Sequence, residues 1–161
     1  MFEDFYKSKK VLITGNTGFK GSWLTTWLLN LGSEVIGYSK DIPSNPSIFE
    51  DLELSKKITD IRGDIRDIDK LQTLFNEYQP EVVFHLAAQP IVRKSYDDPI
   101  ETFTTNAIGS MNILEVARTA EKLESMVMIT SDKAYRNVEW LWGYKEDDLL
   151  GGEDPYSASK A

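Results

Sequence analysis

The sequence contains no cysteine and a single histidine, His85. Without thiols there is no disulfide framework, thiol nucleophile or thiolate metal site, and one imidazole does not build a zinc centre alone, so no metal is expected. Basic residues are the minority, eighteen against twenty-six acidic ones for a net charge of −8. They are scattered rather than gathered into a patch, which argues against nucleic acid as a partner. No apolar run approaches bilayer-spanning length, and the N-terminal MFEDFYKSKK carries acidic residues with no apolar stretch after it to act as a signal core. The expectation is a cytoplasmic protein with no membrane partner.

What is present is enough for one domain, because 41% of 161 residues are hydrophobic and can fill a core. Strand and helix signals alternate along it. KKVLIT at 9–14 is a short β-branched run, followed by glycines and then by Trp23, Leu24, Trp27, Leu28 and Leu31, a helical stripe stopped by Gly32. EVIGY at 34–38 predicts a second strand, the stretch holding Pro43 and Pro46 a loop, and ITDIRG a weaker third strand. Asp67 caps a helix through Tyr78, and EVVFHLAA at 81–88 reads as a buried strand in which His85 is a satisfied core residue. Asp98 opens a long helix with Ile100, Phe103, Ala107, Met111, Leu114 and Ala117 on one face, before SMVMIT supplies a further buried strand. This repeated βαβ order predicts an α/β fold, a doubly wound, mostly parallel sheet with helices on both sides. From Lys133 to Asp154 no period is visible, and a loop of that length in a compact domain is usually functional or disordered.

Two motifs carry chemistry. TGNTGFKG spaces Gly15, Gly18 and Gly21 between a strand and a helix and brings Thr17 and Phe19 with it. Glycine serves there for the tight turn, for backbone approach to a pyrophosphate and for helix packing, while the helix N–H groups face the phosphates; the alternative is an ordinary glycine-rich turn. The acidic residue that usually ends the second strand and binds the adenine ribose is not evident, because the strand runs into Tyr38, Ser39 and Lys40 with Asp41 late. Lys40 either meets a 2′-phosphate or is a solvated lysine. Asp64 and Ile65, in GDIRD, stand where an adenine edge would lie, although Asp64 serves equally as a turn cap. The second motif is Tyr156-x-x-x-Lys160, four residues apart on one helix face, where an ammonium can lower a phenol's pKa and make it a base. The spacing alone is weak. It gains meaning from the strand end Ile129-Thr130-Ser131-Asp132-Lys133, since strand carboxyl ends form the crevice in which open α/β sheets bind ligands.

Together GNTGFKGSWL, HLAAQPIVRKSY, TSDKAY, EWLWGY and GGEDPYSASK resemble the extended short-chain dehydrogenase/reductase family in its nucleotide-sugar-modifying branch. Within that branch the pieces look more like the CDP-glucose 4,6-dehydratases than the dTDP-glucose or GDP-mannose enzymes or the 4-epimerases. The resemblance covers Lys10 to Ala161 and implies a Rossmann-type NAD-binding domain over residues 1–161, with the substrate-binding part absent. It also implies a redox-neutral elimination with bound NAD. Tyr156, helped by Lys160 and by Ser131 on the sugar's 4-hydroxyl, removes a proton as hydride leaves C4. The resulting ketone acidifies C5, Asp132 is the acid for the departing 6-hydroxyl, and Lys133 stands where the base is expected or is a cation that stabilises the enolate. A lysine base must be neutral, which requires burial or nearby positive charge.

The resemblance further implies that Ala87, Ala88 and Gln89 line the nicotinamide side, where the residues themselves read equally as a tight turn. Asn106, opposite the apolar stripe of its helix, is either a hydrogen-bonding group of the site or simply exposed, and Arg93 falls to the substrate side. Family members are roughly twice as long and pair as homodimers through the 98–122 helix and the one begun at Tyr156. The nucleotide-sugar substrate, CDP-glucose, then belongs to the full-length enzyme. A helix of so few residues is marginal in water, so YSASKA is expected to fray and the chain to be inactive by itself. Three classes stay open: part of a CDP-glucose 4,6-dehydratase, a stand-alone dinucleotide-binding or sensor module, and another epimerase or dehydratase of the same family.

Overall fold

A computed structural model describes residues 2–161. The aliphatic runs form five strands, β1 (Lys10–Thr14), β2 (Glu34–Ser39), β3 (Thr59–Arg62), β4 (Val82–His85) and β5 (Ser125–Met128), all parallel in the order β3-β2-β1-β4-β5. Strand order reverses direction beside β1, which makes the sheet Rossmann-like and puts its switch point between β1 and β4. The register sets Thr14 beside Tyr38 on one side and His85 on the other, so three carboxyl ends lie level. The helices are α1 (Phe19–Asn30), α2 (Ile48–Asp51), α3 (Ile68–Tyr78), α4 (Val92–Asp97), α5 (Pro99–Phe103), α6 (Gly109–Arg118) and α7 (Pro155–Lys160), with a π turn at Thr104–Ile108 between α5 and α6. Asp67 and Asp98 cap α3 and α5 as expected, accepting the N–H groups of Lys70 and Glu101 at 3.0 and 2.8 Å.

The chain divides into two compact units. The first holds the residues through Ala87 together with Ser110–Ile129, and the second holds Ala88–Gly109 and Thr130–Ala161. In the first unit, side chains alternate across the sheet because successive Cβ atoms of a strand point to opposite faces. Leu12, Ile36 and Val83 pack with Leu71, Leu74 and Phe75 of α3 and with Ile113 and Val116 of α6. Val11, Ile13, Val35 and Val82 pack with Leu28 of α1 on the other face. Both faces are thus covered, the condition under which a parallel sheet is stable. His85 is buried, with Nδ1 2.7 Å from the Thr14 hydroxyl and Nε2 3.1 Å from that of Ser110.

Of the two apolar stripes read from the sequence, the first is split, with Leu24, Leu28 and Leu31 against the core and both tryptophans outside it, and the second faces outward. Trp23 is 56% exposed and Trp27 is exposed too, while α1 buries Gly21, Ser22, Thr25 and Leu28. The small face is turned inward because a Cβ at Gly21 would stand 2.1 Å from the Gly15 carbonyl oxygen, leaving the bulky rings the outer side. Along the expected 98–122 helix, Ile100 (76%) and Met111 (59%) are exposed, as are Phe103 and Leu114. Thr102, Asn106, Ile113 and Val116 are buried instead. A π turn at Thr104–Ile108 interrupts the run, and the apolar residues of the stripe stay exposed both before it and after it. Ile113→Ala is therefore expected to lower unfolding stability by about 2–4 kcal/mol, whereas Met111→Ala changes it by no more than about 0.5 kcal/mol. Urea unfolding of the two variants measures the difference.

Candidate active site

In the first unit the glycine loop joins β1 to α1. Gly15 has φ +75°, and a Cβ there would meet the Ala87 backbone nitrogen at 2.8 Å, so the turn admits no side chain. Gly18 is the N-cap of α1 and supplies no capping side chain, which leaves the helix start open to an anion. Thr17 donates through Oγ1 to the Asp41 carbonyl at 2.6 Å, and the Ser39 hydroxyl donates to Asn16 Oδ1 at 2.6 Å. Asn16, inside the fingerprint yet absent from the sequence reading, is wholly buried, and its Nδ2 has no partner among the described residues. Phe19 begins α1 and is exposed.

Asp64 caps its own turn. Its Oδ1 accepts the Arg66 backbone N–H at 3.0 Å and Arg66 Nε at 2.9 Å, its Oδ2 accepts Arg66 Nη2 at 2.5 Å, and Lys40 lies 3.8 Å away. The Arg66 guanidinium holds this carboxyl down from 3.8 to about 2. Lys40 is thereby an ion-pair partner of Asp64 rather than a lone solvated cation. The Ile65 side chain belongs to the core beside α3, so what it offers a ligand is backbone, and its carbonyl accepts Asn112 Nδ2 at 3.3 Å. The Tyr38 hydroxyl donates to the Asp64 carbonyl at 2.9 Å, and burial pushes that phenol up to about 12.

The second unit carries the triplet and the tyrosine helix. Ser131 N-caps a 3₁₀ turn at Asp132–Ala134, its hydroxyl accepting Lys133 N–H at 3.2 Å and donating to Asp132 Oδ1 at 3.2 Å. Asp132 and Lys133 are both exposed. The YSASKA segment, expected to fray, is helical from Pro155 to Lys160. Asp154, unremarked in the sequence although Asp-Pro is a helix-start signature, caps it by accepting Ser157 N–H at 2.9 Å and Ser157 Oγ at 2.6 Å. Tertiary hydrogen bonds do what helix length cannot: the Tyr156 N–H donates to Ser95 Oγ at 3.1 Å, and Asn106 Nδ2 donates to Ser159 Oγ at 2.9 Å. Burial lowers the pKa of Lys160, which shares the Tyr156 face four residues on.

Asn106 is buried in the π turn, not exposed. Its Oδ1 accepts the Gln89 N–H at 2.8 Å and its Nδ2 donates to the Gln89 carbonyl at 3.1 Å. Gln89 in turn directs Nε2 to Thr102 Oγ1 at 2.9 Å and accepts the Ile91 N–H at 2.7 Å. After Ala87 and Ala88 the chain makes a tight, internally bonded turn. Ser95, fully buried on α4, has no signature in the sequence. Among the described residues no group of His, Asp and Glu is arranged to hold a metal ion, and no helix is long and apolar enough to cross a membrane.

Because folding lowers the Asp64 pKa, its bonds to Arg66 contribute stability that is complete above about pH 4 and is lost as acid brings the carboxyl toward about 2. Asp64→Asn is expected to flatten the melting temperature against pH across that acid window, with little change in its slope near neutrality. Thermal melts between pH 2 and pH 7 check this, in steps of about half a unit.

The model of the GDP-mannose 4,6 dehydratase family matches residues 12–161. The chain is 49% identical over 98% of its length to the CDP-glucose 4,6-dehydratase of Salmonella typhimurium LT2, covering 44% of that protein. It is 34% identical over 94% of its length to the UDP-glucose 4-epimerase of Mycolicibacterium smegmatis, covering 48% of it. The crystal structure of Thermus thermophilus UDP-glucose 4-epimerase in complex with NAD superposes with TM-score 0.80 at 32% identity, over 94% of this chain and 47% of that one. The chain thus spans about half the length of the relatives it matches. By this match, and with the sheet order and glycine loop that accompany it, the chain belongs to the GDP-mannose 4,6-dehydratase family, a group of nucleotide-sugar dehydratases and epimerases.

Proposed function

We propose that the chain is the NAD-binding portion of a nucleotide-sugar 4,6-dehydratase that converts CDP-glucose to CDP-4-keto-6-deoxyglucose. The observation that carries this is the 49% identity, across 98% of the chain, to an enzyme of that name. The residues present fit the cofactor. Gly15 and Gly21 are positions where a Cβ would strike backbone, and the start of α1 is left without a capping side chain, so a pyrophosphate finds bare N–H groups. Held there, NAD would supply the hydride chemistry of the reaction, acceptance from C4 and return at C6.

The chain's own residues manage the protons. Ser131 hydrogen-bonds the 4-hydroxyl, and Tyr156 removes its proton with Lys160 favouring the phenolate. Once C4 is a carbonyl, the C5 proton is acidic and passes to a base, a place that Lys133 occupies by resemblance, while Asp132 protonates the 6-hydroxyl as it leaves as water. Exposed Ile100, Phe103, Met111 and Leu114 support the homodimer that the resemblance implies, since large apolar side chains left open are commonly covered by a partner. The 4-epimerase reading draws on the 34% identical relative and the Thermus structure, and product analysis separates the two, because only a dehydratase loses oxygen from C6.

Titration calorimetry of NAD and NADP into the purified chain tests the cofactor reading. Saturable NAD binding is expected, with a stabilisation of about 2.7 kcal/mol at a hundredfold excess over Kd and a matching rise in melting temperature. Gly15→Ala is expected to abolish both, because the added Cβ meets Ala87 at a positive φ. A chain that melts cooperatively yet binds neither nucleotide overturns the proposal. In the full-length dehydratase, Tyr156→Phe is expected to lower kcat about 100-fold or more.

A further inference from the structure

Helix α7 has six residues, too few for stability on its own, yet it carries the tyrosine that the proposed reaction turns on. Both polar atoms of the Tyr156 main chain are held by hydroxyls. Its N–H donates to Ser95 Oγ at 3.1 Å, and its carbonyl accepts Ser159 Oγ at 2.7 Å. Ser159 is itself held by Asn106, within the helix that follows α5. Ser95 differs in kind, because it reaches α7 from α4. It has no exposed surface, and its own proton goes to the Val92 carbonyl at 2.6 Å, so its lone pair toward Tyr156 has a fixed direction. Asp154, the cap of α7, accepts the N–H and hydroxyl of Ser157 and lies against the Tyr156 N–H as well, but it belongs to the start of the same helix and does not tie it to another element.

We infer that Ser95 is a positioning residue for Tyr156: a buried hydroxyl on α4 that fixes where the first turn of α7 lies and so where the phenol stands. This rests on the reading of Tyr156 as the acid–base group. The physical case is that proton transfer requires donor and acceptor within hydrogen-bond reach. A displacement of about 1 Å can cost about 100-fold in rate even when the fold survives. A six-residue helix supplies no rigidity of its own, so its orientation is whatever its tertiary hydrogen bonds make it. The Tyr156 N–H is the backbone group of the tyrosine that is tied to a different element, and that element is α4 through Ser95. Without the hydroxyl, the N–H loses its tie to α4, and the first turn of α7 is held from within its own segment alone, so it can shift.

The test uses Ser95→Ala, Ser95→Thr and Tyr156→Phe in the full-length dehydratase, with NAD and CDP-glucose. Ser95→Ala is expected to lower kcat about tenfold or more while KM for the nucleotide sugar stays within about twofold. NAD affinity should be unaltered, and Ser95→Thr, which keeps the hydroxyl, should recover most of the rate. Amide hydrogen exchange in the 161-residue chain supplies a second readout. There the Tyr156 amide should exchange about tenfold faster in Ser95→Ala with the amides of α3 unchanged. A Ser95→Ala enzyme with unchanged kcat overturns the proposal if Tyr156→Phe is inactive. A fall in kcat that Thr does not recover, with exchange raised throughout α4 and α7, overturns it in favour of a merely structural serine. Full activity in Tyr156→Phe overturns the reading of Tyr156 itself, and the positioning role falls with it.

Discussion

Backbone meets backbone where β1 turns into α1, and the rest of the first unit is arranged around that contact. A side-chain carbon at Gly15 would stand 2.8 Å from the Ala87 nitrogen, and one at Gly21 would stand 2.1 Å from the Gly15 oxygen. These two approaches bring the end of β4 against the end of β1 and let α1 sink onto the loop. The parallel register then carries Thr14, Tyr38 and His85 to the same level, which makes the crevice at the strand ends. The N–H groups that a dinucleotide needs are exposed by the same geometry that forbids side chains.

That close approach also explains which side of α1 is buried. Gly21, Ser22 and Thr25 face inward because only small side chains fit above the loop, and the tryptophans are left to the outside. Volume, not hydrophobicity, decides the orientation there. The apolar pattern fails again around the π turn at Thr104–Ile108, where Asn106 is buried while Ile100 and Phe103 of the preceding helix are open. Buried, the Asn106 amide is matched on three sides by Gln89 and Ser159, as a polar group without water must be.

Polar burial of this kind organises the second unit. Its hydrogen bonds run from Gln89 through Asn106 to Ser159 and from Ser95 to Tyr156, and they hold a helix too short to hold itself. The same logic applies in the first unit to Asp64, whose half-buried carboxylate is matched by Arg66. The residues that chemistry would use are thus supported by residues that chemistry does not touch.

The sequence by itself determined the strand and helix order, the parallel sheet, the caps at Asp67 and Asp98 and the glycine loop. Each of these depends on short-range periodicity, capping or turn geometry that a few neighbouring residues specify. It also brought Ser131, Asp132, Lys133, Tyr156 and Lys160 forward by spacing and by resemblance. Only the tertiary structure decided which face of α1 is inside, where the 98–122 run is interrupted, that Asn106 is buried and that α7 is formed. Those outcomes rest on contacts between residues far apart in the chain, Ser95 with Tyr156 and Asn106 with Ser159 among them. No local pattern encodes such a contact, because the free energy of a buried hydrogen bond depends on the partner that the fold delivers and not on the neighbours that the sequence displays.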